Sequence, residues 1–307
     1  MPAIHGVWAA SITPFSENLS VNPDALIQHV KWLLNSGCHG VVLLGTTGEA
    51  NSMSVDERLE LLDSVAASGI PLDRIIVGTG CTAHADTVAL TARARALGFR
   101  AVLLLPPFYY KNVSDDGLFE SICNVVGSLG SDVPDIILYH FPAMAGAGYS
   151  EELIERLRMA IGDPIVGVKD STGDIEHTVS LIRSFPDLSI LAGNEVLLPE
   201  AVAAGGAGCI SASINVTAAL SRSVYNSLST PGSADLKEEM DRIRSIRNAV
   251  SRVPMASSMK AVLAELGELD RSAAFVRPPL VKTPLSKELH FALSLLAADT
   301  SSHETSS

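Results

Sequence analysis

Eight apolar runs rich in β-branched residues recur along this chain: Val7–Ile12, Val41–Leu44, Ile75–Thr79, Ala101–Leu105, Ile136–Tyr139, Ile165–Lys169, Leu188–Ala192 and Gly208–Ala212. Each is apolar throughout rather than alternating, the pattern of a strand buried on both faces in a parallel sheet wrapped by helices. They recur roughly every 20–35 residues, the length of one βα unit. Eight such units in a chain of 307 residues predict a TIM (β/α)8 barrel.

The segments between the runs carry helical periodicity, as in 24–34 and 55–65, and Ser54 with Glu57 reads as a capping box opening the second of these. Gly37, Gly69 and Gly98 fall shortly before the next run, where helix C-termini need them. Past Ala212 only helical patterns remain, including 237–247 and 259–266. The expected organisation is a barrel domain over 1–225, a C-terminal helical extension over 226–298 and a disordered tail over 299–307, which lacks apolar anchors.

Hydrophobic residues make up 47% of the chain and charged residues 18%, leaving little surface beyond a barrel's own, so a homo-oligomer is expected. A formal charge of −12 repels phosphate backbones and anionic lipid, which argues against nucleic-acid and membrane-surface roles. The N-terminus has no basic stretch leading into an apolar one, and the longest apolar runs are shorter than a membrane span, so a soluble, cytoplasmic protein is expected. Cys38, Cys81, Cys123 and Cys209 form no CxxC pair and have no histidine at zinc-ligand spacing; they read as reduced structural thiols, with no metal site.

In such a barrel, chemistry sits where strands end. Lys169 closes the sixth run, directly before the turn residues 170–173, and Tyr139 closes the fifth. A strand-tip amine acts as a nucleophile where it is in part unprotonated, which desolvation favours. With a phenol one strand away to carry protons, the pair points to Schiff-base catalysis. Gly45-Thr46-Thr47-Gly48-Glu49 follows the second run, and its hydroxyls and loop amides suit a carboxylate. Pro106-Pro107-Phe108-Tyr109-Tyr110 follows the fourth; these aromatics either line a pocket or dock on a neighbouring subunit.

Those segments, with 139–146 (YHFPAMAG) and 167–174 (GVKDSTGD), resemble the dihydrodipicolinate synthase/N-acetylneuraminate lyase superfamily of class I aldolases, and the likeness runs from Thr13-Pro14 to Pro279. The resemblance implies that Lys169 forms a Schiff base with a 2-oxo acid such as pyruvate and that Tyr139 is the acid/base. It implies that Thr46 and Thr47 hold the carboxylate, and that Thr47 links Tyr139 to a tyrosine from another subunit, Tyr109 or alternatively Tyr110. Gly193 and Ile210 match positions lining the pyruvate end of such pockets. No cofactor is implied beyond the lysine imine, and the implied assembly is a homotetramer.

One departure is informative. Dihydrodipicolinate synthases carry an arginine two residues after the proline of the Tyr139 motif, where it binds the incoming aldehyde's carboxylate; here the residue is Met144. A thioether cannot make that charge-assisted contact, which is worth about 1.5–3 kcal/mol. Substrate choice is therefore expected to rest on Met144, Ser171, Asn194, Glu195 and His140, although Asn194 and Glu195 alternatively only build the loop after the seventh run. His140 stands where an asparagine is common, and its side chain is expected to point outward into packing. The reading that follows is an aldolase cleaving a 4-hydroxy-2-oxo acid of the 2-keto-3-deoxy sugar acid type to pyruvate and an aldehyde. The alternatives are a dehydratase using the same imine, an N-acetylneuraminate lyase, and a non-catalytic 2-oxo acid binder.

Overall fold

The computed structural model describes residues 4–230 and 235–303. Eight parallel strands close into a barrel in sequence order: β1 Gly6–Ala10, β2 Gly40–Leu43, β3 Ile75–Gly78, β4 Ala101–Leu104, β5 Ile136–His140, β6 Ile165–Asp170, β7 Ser189–Ala192 and β8 Gly208–Ser211. This is the predicted TIM barrel, each strand within one or two residues of its apolar run. β8 pairs back onto β1 through Gly208 and Gly6, which approach so closely that a Cβ on Gly208 would lie 2.7 Å from Gly6 N.

Successive side chains on a strand point to opposite faces, and this alternation builds two buried layers. Trp8, Val42, Ile76, Leu103, Ile137, Tyr139, Leu191 and Ile210 fill the barrel interior. Their neighbours Val7, Val41, Ile75, Val102, Leu138, Val168, Ile190 and Cys209 pack outward against the helices. A fully buried aliphatic side chain contributes about 1.5–3 kcal/mol, so both layers hold the strands in register. The helix Val55–Ala67 begins with the expected capping box, Ser54 and Glu57 each bonding the other's backbone N–H. Gly37, Gly69 and Gly98 follow their helices at φ +99, +76 and +86, the left-handed region that glycine adopts without strain.

The helix after β8 runs Ile214–Leu228, so the barrel's last helix extends past the expected boundary at residue 225. Helices Lys237–Val250 and Met255–Glu265 follow and share a core cluster with Ile12 and Val216 at the barrel's rim. The last helix runs Lys287–His303. Residues 299–303, expected in the disordered tail, thus carry helical backbone, which needs only local hydrogen bonds to continue; 304–307 lie outside the described residues. Among the described residues, no helix is long and apolar enough to cross a membrane.

Candidate active site

A cavity of about 540 Å³ opens at the C-terminal ends of the strands, lined by Thr46, Thr47, Tyr139, Met144, Lys169, Ser171, Gly193 and Asn194. A second hollow, about 600 Å³, lies at the opposite end of the barrel, where the Arg100–Asp135 and Arg158–Asp187 ion pairs line it. Both arginines there are paired with carboxylates, whereas the strand-end cavity collects an amine, a phenol and the hydroxyls of Thr46, Thr47 and Ser171, so we place the candidate site there.

Strand alternation explains why the amine and phenol meet. Tyr139 and Lys169 are register partners on β5 and β6, both turned into the barrel, while their successors His140 and Asp170 are register partners turned out. Lys169 Nζ lies 4.1 Å from the centre of the Tyr139 ring, and each residue is only 5% exposed. The pair therefore sits at the cavity floor, screened from bulk water.

The Thr46–Thr47 loop is held in an unusual conformation. Leu44 and Glu49 flank it at φ 55 and 51, a region costing a non-glycine residue about 1–3 kcal/mol. Gly48 packs so tightly that a Cβ would lie 3.1 Å from Ser11 O. Glu49 anchors the loop: its buried carboxylate accepts from Lys260 Nζ at 2.6 Å and from the Arg277 backbone N–H at 3.1 Å. Lys260 Nζ also donates to Phe275 O at 2.7 Å. Burial pushes the Lys260 amine down to about 8 despite the attraction of Glu49. The Arg277 guanidinium in turn bonds Ser52 O and Glu57, whose carboxyl that contact holds down at about 2.

Behind the cavity floor lies a polar cluster. Burial pushes the Asp170 carboxyl up, but hydrogen bonds from Thr178 Oγ1, the Thr172 N–H and His177 Nδ1 outweigh it and hold it below the usual range. His140 does point outward, as expected. Its Nδ1 accepts from the Tyr149 N–H at 2.9 Å, and its ring stacks on His177 with centroids 4.8 Å apart. Burial lowers the His140 pKa, and the nearby His177 lowers it further. His140, Asp170 and His177 have potential ligand atoms within 4.8 Å of one another. Asp170's oxygens and His140 Nδ1 are already engaged in hydrogen bonds, which steady the two strand tips from outside.

Three expected site residues stand elsewhere. Glu195 does not reach the cavity: it is fully buried, and its carboxylate accepts from Ser211 and Ser213 and pairs with Arg247 Nη1 at 3.0 Å. An isolated carboxylate at that depth must be paired, so Glu195 holds Arg247 rather than substrate. Ile210 packs inside the barrel beneath the cavity, in the layer that contains Tyr139. Tyr109 and Tyr110 are 74% and 73% exposed on the loop after β4, which Lys111 ties to the Met144 turn by donating to Ala145 O at 3.0 Å. Gly193 matters for its missing side chain: a Cβ there would lie 2.7 Å from Asp170 O and collide with Ser171 Oγ.

Arg247 is the charged cavity residue that the sequence reading missed. It falls on the buried face of Lys237–Val250 beside Ile243, Ile246 and Val250, and a basic residue on an apolar helical stripe is the signal that could have found it. Phe141, Pro254, Met255, Ala256 and Leu280 also line the cavity.

A family model described as the dihydrodipicolinate synthetase family matches residues 3–298. The chain belongs to that family. A Chloroflexus aurantiacus protein described as an uncharacterized DapA-like lyase is 36% identical over 287 residues, 92% of each chain. A 4-hydroxy-tetrahydrodipicolinate synthase of Rhizobium meliloti is 31% identical over 283 residues, 90% of this chain and 92% of that one. The crystal structure of dihydrodipicolinate synthase from Agrobacterium tumefaciens superimposes with a TM-score of 0.84 at 34% identity, covering 96% of this chain and 99% of that one. A chloride-inhibited dihydrodipicolinate synthase from Acinetobacter baumannii, solved with pyruvate, does so at 0.81 and 27% identity, covering 97% and 99%. The protein is accordingly a carbon–carbon lyase of the aldolase type.

Proposed function

We propose that the protein is a Schiff-base aldolase that reversibly cleaves a 4-hydroxy-2-oxo acid of the 2-keto-3-deoxy sugar acid type to pyruvate and an aldehyde. The observation that carries this reading is the inward-facing Tyr139–Lys169 register pair, sharing one cavity with Thr46 and Thr47. The Lys169 amine condenses with the C2 ketone, expelling water and leaving a protonated imine. Tyr139 takes the C4 hydroxyl proton, the C3–C4 bond breaks, and its electrons enter the iminium to give an enamine while the aldehyde departs. Protonation at C3 and hydrolysis return pyruvate and the free amine. The iminium is the electron sink, so the chemistry calls for no metal or organic cofactor. Thr46 and Thr47 hold the C1 carboxylate; Ser171 and Asn194 meet the hydroxylated tail, with Met144 at the mouth.

Two further assignments complete the proposal. Tyr109, which lies outside its own chain's cavity, serves a neighbouring subunit's Tyr139 through Thr47, and the assembly is a homotetramer. Two aromatic side chains at 74% and 73% exposure support this, because rings left in water are readily buried at an interface. Met144 in place of an arginine removes the contact that would hold an aldehyde's carboxylate at that position, which argues against the aspartate-derived aldehyde of lysine biosynthesis bound in that way.

The test is incubation with pyruvate and borohydride, followed by intact mass on the wild type and Lys169→Ala. A reduced adduct in the wild type alone is expected; its absence from the wild type overturns the mechanism. Pyruvate release from 2-keto-3-deoxy sugar acids then separates cleavage from dehydration, which keeps every carbon.

A further inference from the structure

Arg247 enters the cavity from the C-terminal helices rather than from a barrel strand. Three oxygens hold it, all at one nitrogen: Nη1 donates to Glu195 Oε2 at 3.0 Å, Ser211 Oγ at 2.9 Å and Ser213 Oγ at 2.8 Å. Among the described residues no protein group accepts from Nε or Nη2. Neither atom is both buried and unpartnered, so this edge of the guanidinium is open. It is the edge whose two parallel N–H groups fit the paired oxygens of a carboxylate or phosphate.

The charge of the cavity points the same way. The chain carries a formal charge of −12, yet the cavity lining contains Lys169 and Arg247 and no aspartate or glutamate. Glu195, which balances Arg247, is fully buried behind it. The 2-oxo acid's own carboxylate is assigned to Thr46 and Thr47, which leaves the Nε–Nη2 edge of Arg247, on the side away from Glu195, free to take a second anion.

We propose that Arg247 determines substrate specificity by receiving a second negatively charged group, a carboxylate or phosphate, at the far end of the aldehyde half, so that the substrate is a 2-keto-3-deoxy sugar acid charged at both ends. This rests on the aldolase reading, which it narrows. Glu195, Ser211 and Ser213 are positioning residues that fix Nη1 and so aim the open edge.

Borohydride trapping tests it without requiring turnover. Imine formation is titrated with 2-oxoadipate and with 2-oxohexanoate, six-carbon 2-oxo acids differing only in the terminal carboxylate. Condensation of pyruvate with D-glyceraldehyde 3-phosphate and with D-glyceraldehyde is measured alongside as kcat/KM, so the two pairs separate carboxylate from phosphate. At least a tenfold preference for the charged member of one pair is expected in the wild type, falling to near parity in Arg247→Gln and partly kept in Arg247→Lys. Arg247→Gln leaves Glu195 buried without its counter-ion, so Glu195→Gln/Arg247→Gln is assayed as well and should show the same parity. A wild-type pyruvate adduct with no charge preference in either pair overturns this proposal alone, as does a preference that survives in the double variant. A wild type that forms no pyruvate adduct overturns the aldolase reading and this proposal with it.

Discussion

Replacing Lys260 with methionine tests whether the Thr46–Thr47 loop is anchored by a buried ion pair. In the folded protein Nζ meets Glu49 Oε1 at 2.6 Å and Phe275 O at 2.7 Å, and the paired side chains are 1% and 2% exposed. Removing the ammonium leaves the Glu49 carboxylate, among the described residues, with the Arg277 N–H as its remaining donor. Removing one partner of a buried pair costs about 3–5 kcal/mol, mostly for the charge left behind. Lys260→Met should therefore lower stability by about that amount, read from urea midpoints at pH 7. The double variant Lys260→Met/Glu49→Gln, which leaves neither charge, should lose less than the sum of the two single variants. Because Glu49 holds the end of the Thr46–Thr47 loop at φ 51, the pyruvate concentration for half-maximal trapping should also rise. A loss below about 1 kcal/mol, against the several expected for a stranded charge, would refute the argument; so would strictly additive single variants.

Tyr139→Phe keeps the ring beside Lys169 but removes the phenol proposed as proton carrier; the borohydride adduct should persist while turnover falls about 10²–10⁴-fold, and loss of both together would contradict the assignment. Gly193→Ala places a methyl group 2.7 Å from Asp170 O; a loss of about 1–3 kcal/mol is expected from overpacking, with weaker trapping as Ser171 shifts, and wild-type values for both would count against the close approach. Burial holds His29 down to about 4, against 6.5 in the unfolded chain. Its contribution is thus present above pH 6.5 and lost as pH falls toward 4, because the unfolded chain takes up the proton first. Between pH 7 and 4.5 this removes about 2–3 kcal/mol, so His29→Gln should lose correspondingly less stability than the wild type over that range in urea titrations; equal losses would refute it.

Much of the site was legible because a parallel barrel turns sequence order into spatial order. A strand that ends in Lys169 and another that ends in Tyr139 must deliver both to one rim, and the period of two then puts both inside once they are in register. The Gly45–Glu49 loop was legible for the same reason, since it directly follows β2. Glu195 was not: a carboxylate beside a pocket loop reads like a ligand, and only the arrival of Ser211, Ser213 and Arg247 shows where its charge is spent. Arg247 was missed because its route to the cavity depends on how the helix Lys237–Val250 packs on the barrel rim, which local periodicity does not encode.

The sequence by itself therefore determined the barrel and the meeting of the Lys169 amine and the Tyr139 phenol at one rim, since these follow from strand periodicity and chain order. Tertiary structure decided which polar groups face the cavity and which are consumed by one another: Glu195 against Arg247, Glu49 against Lys260, Asp170 against His177. The first two pairings join residues 52 and 211 positions apart, and the cost of burying a charge unpaired selects them only after the helices have packed.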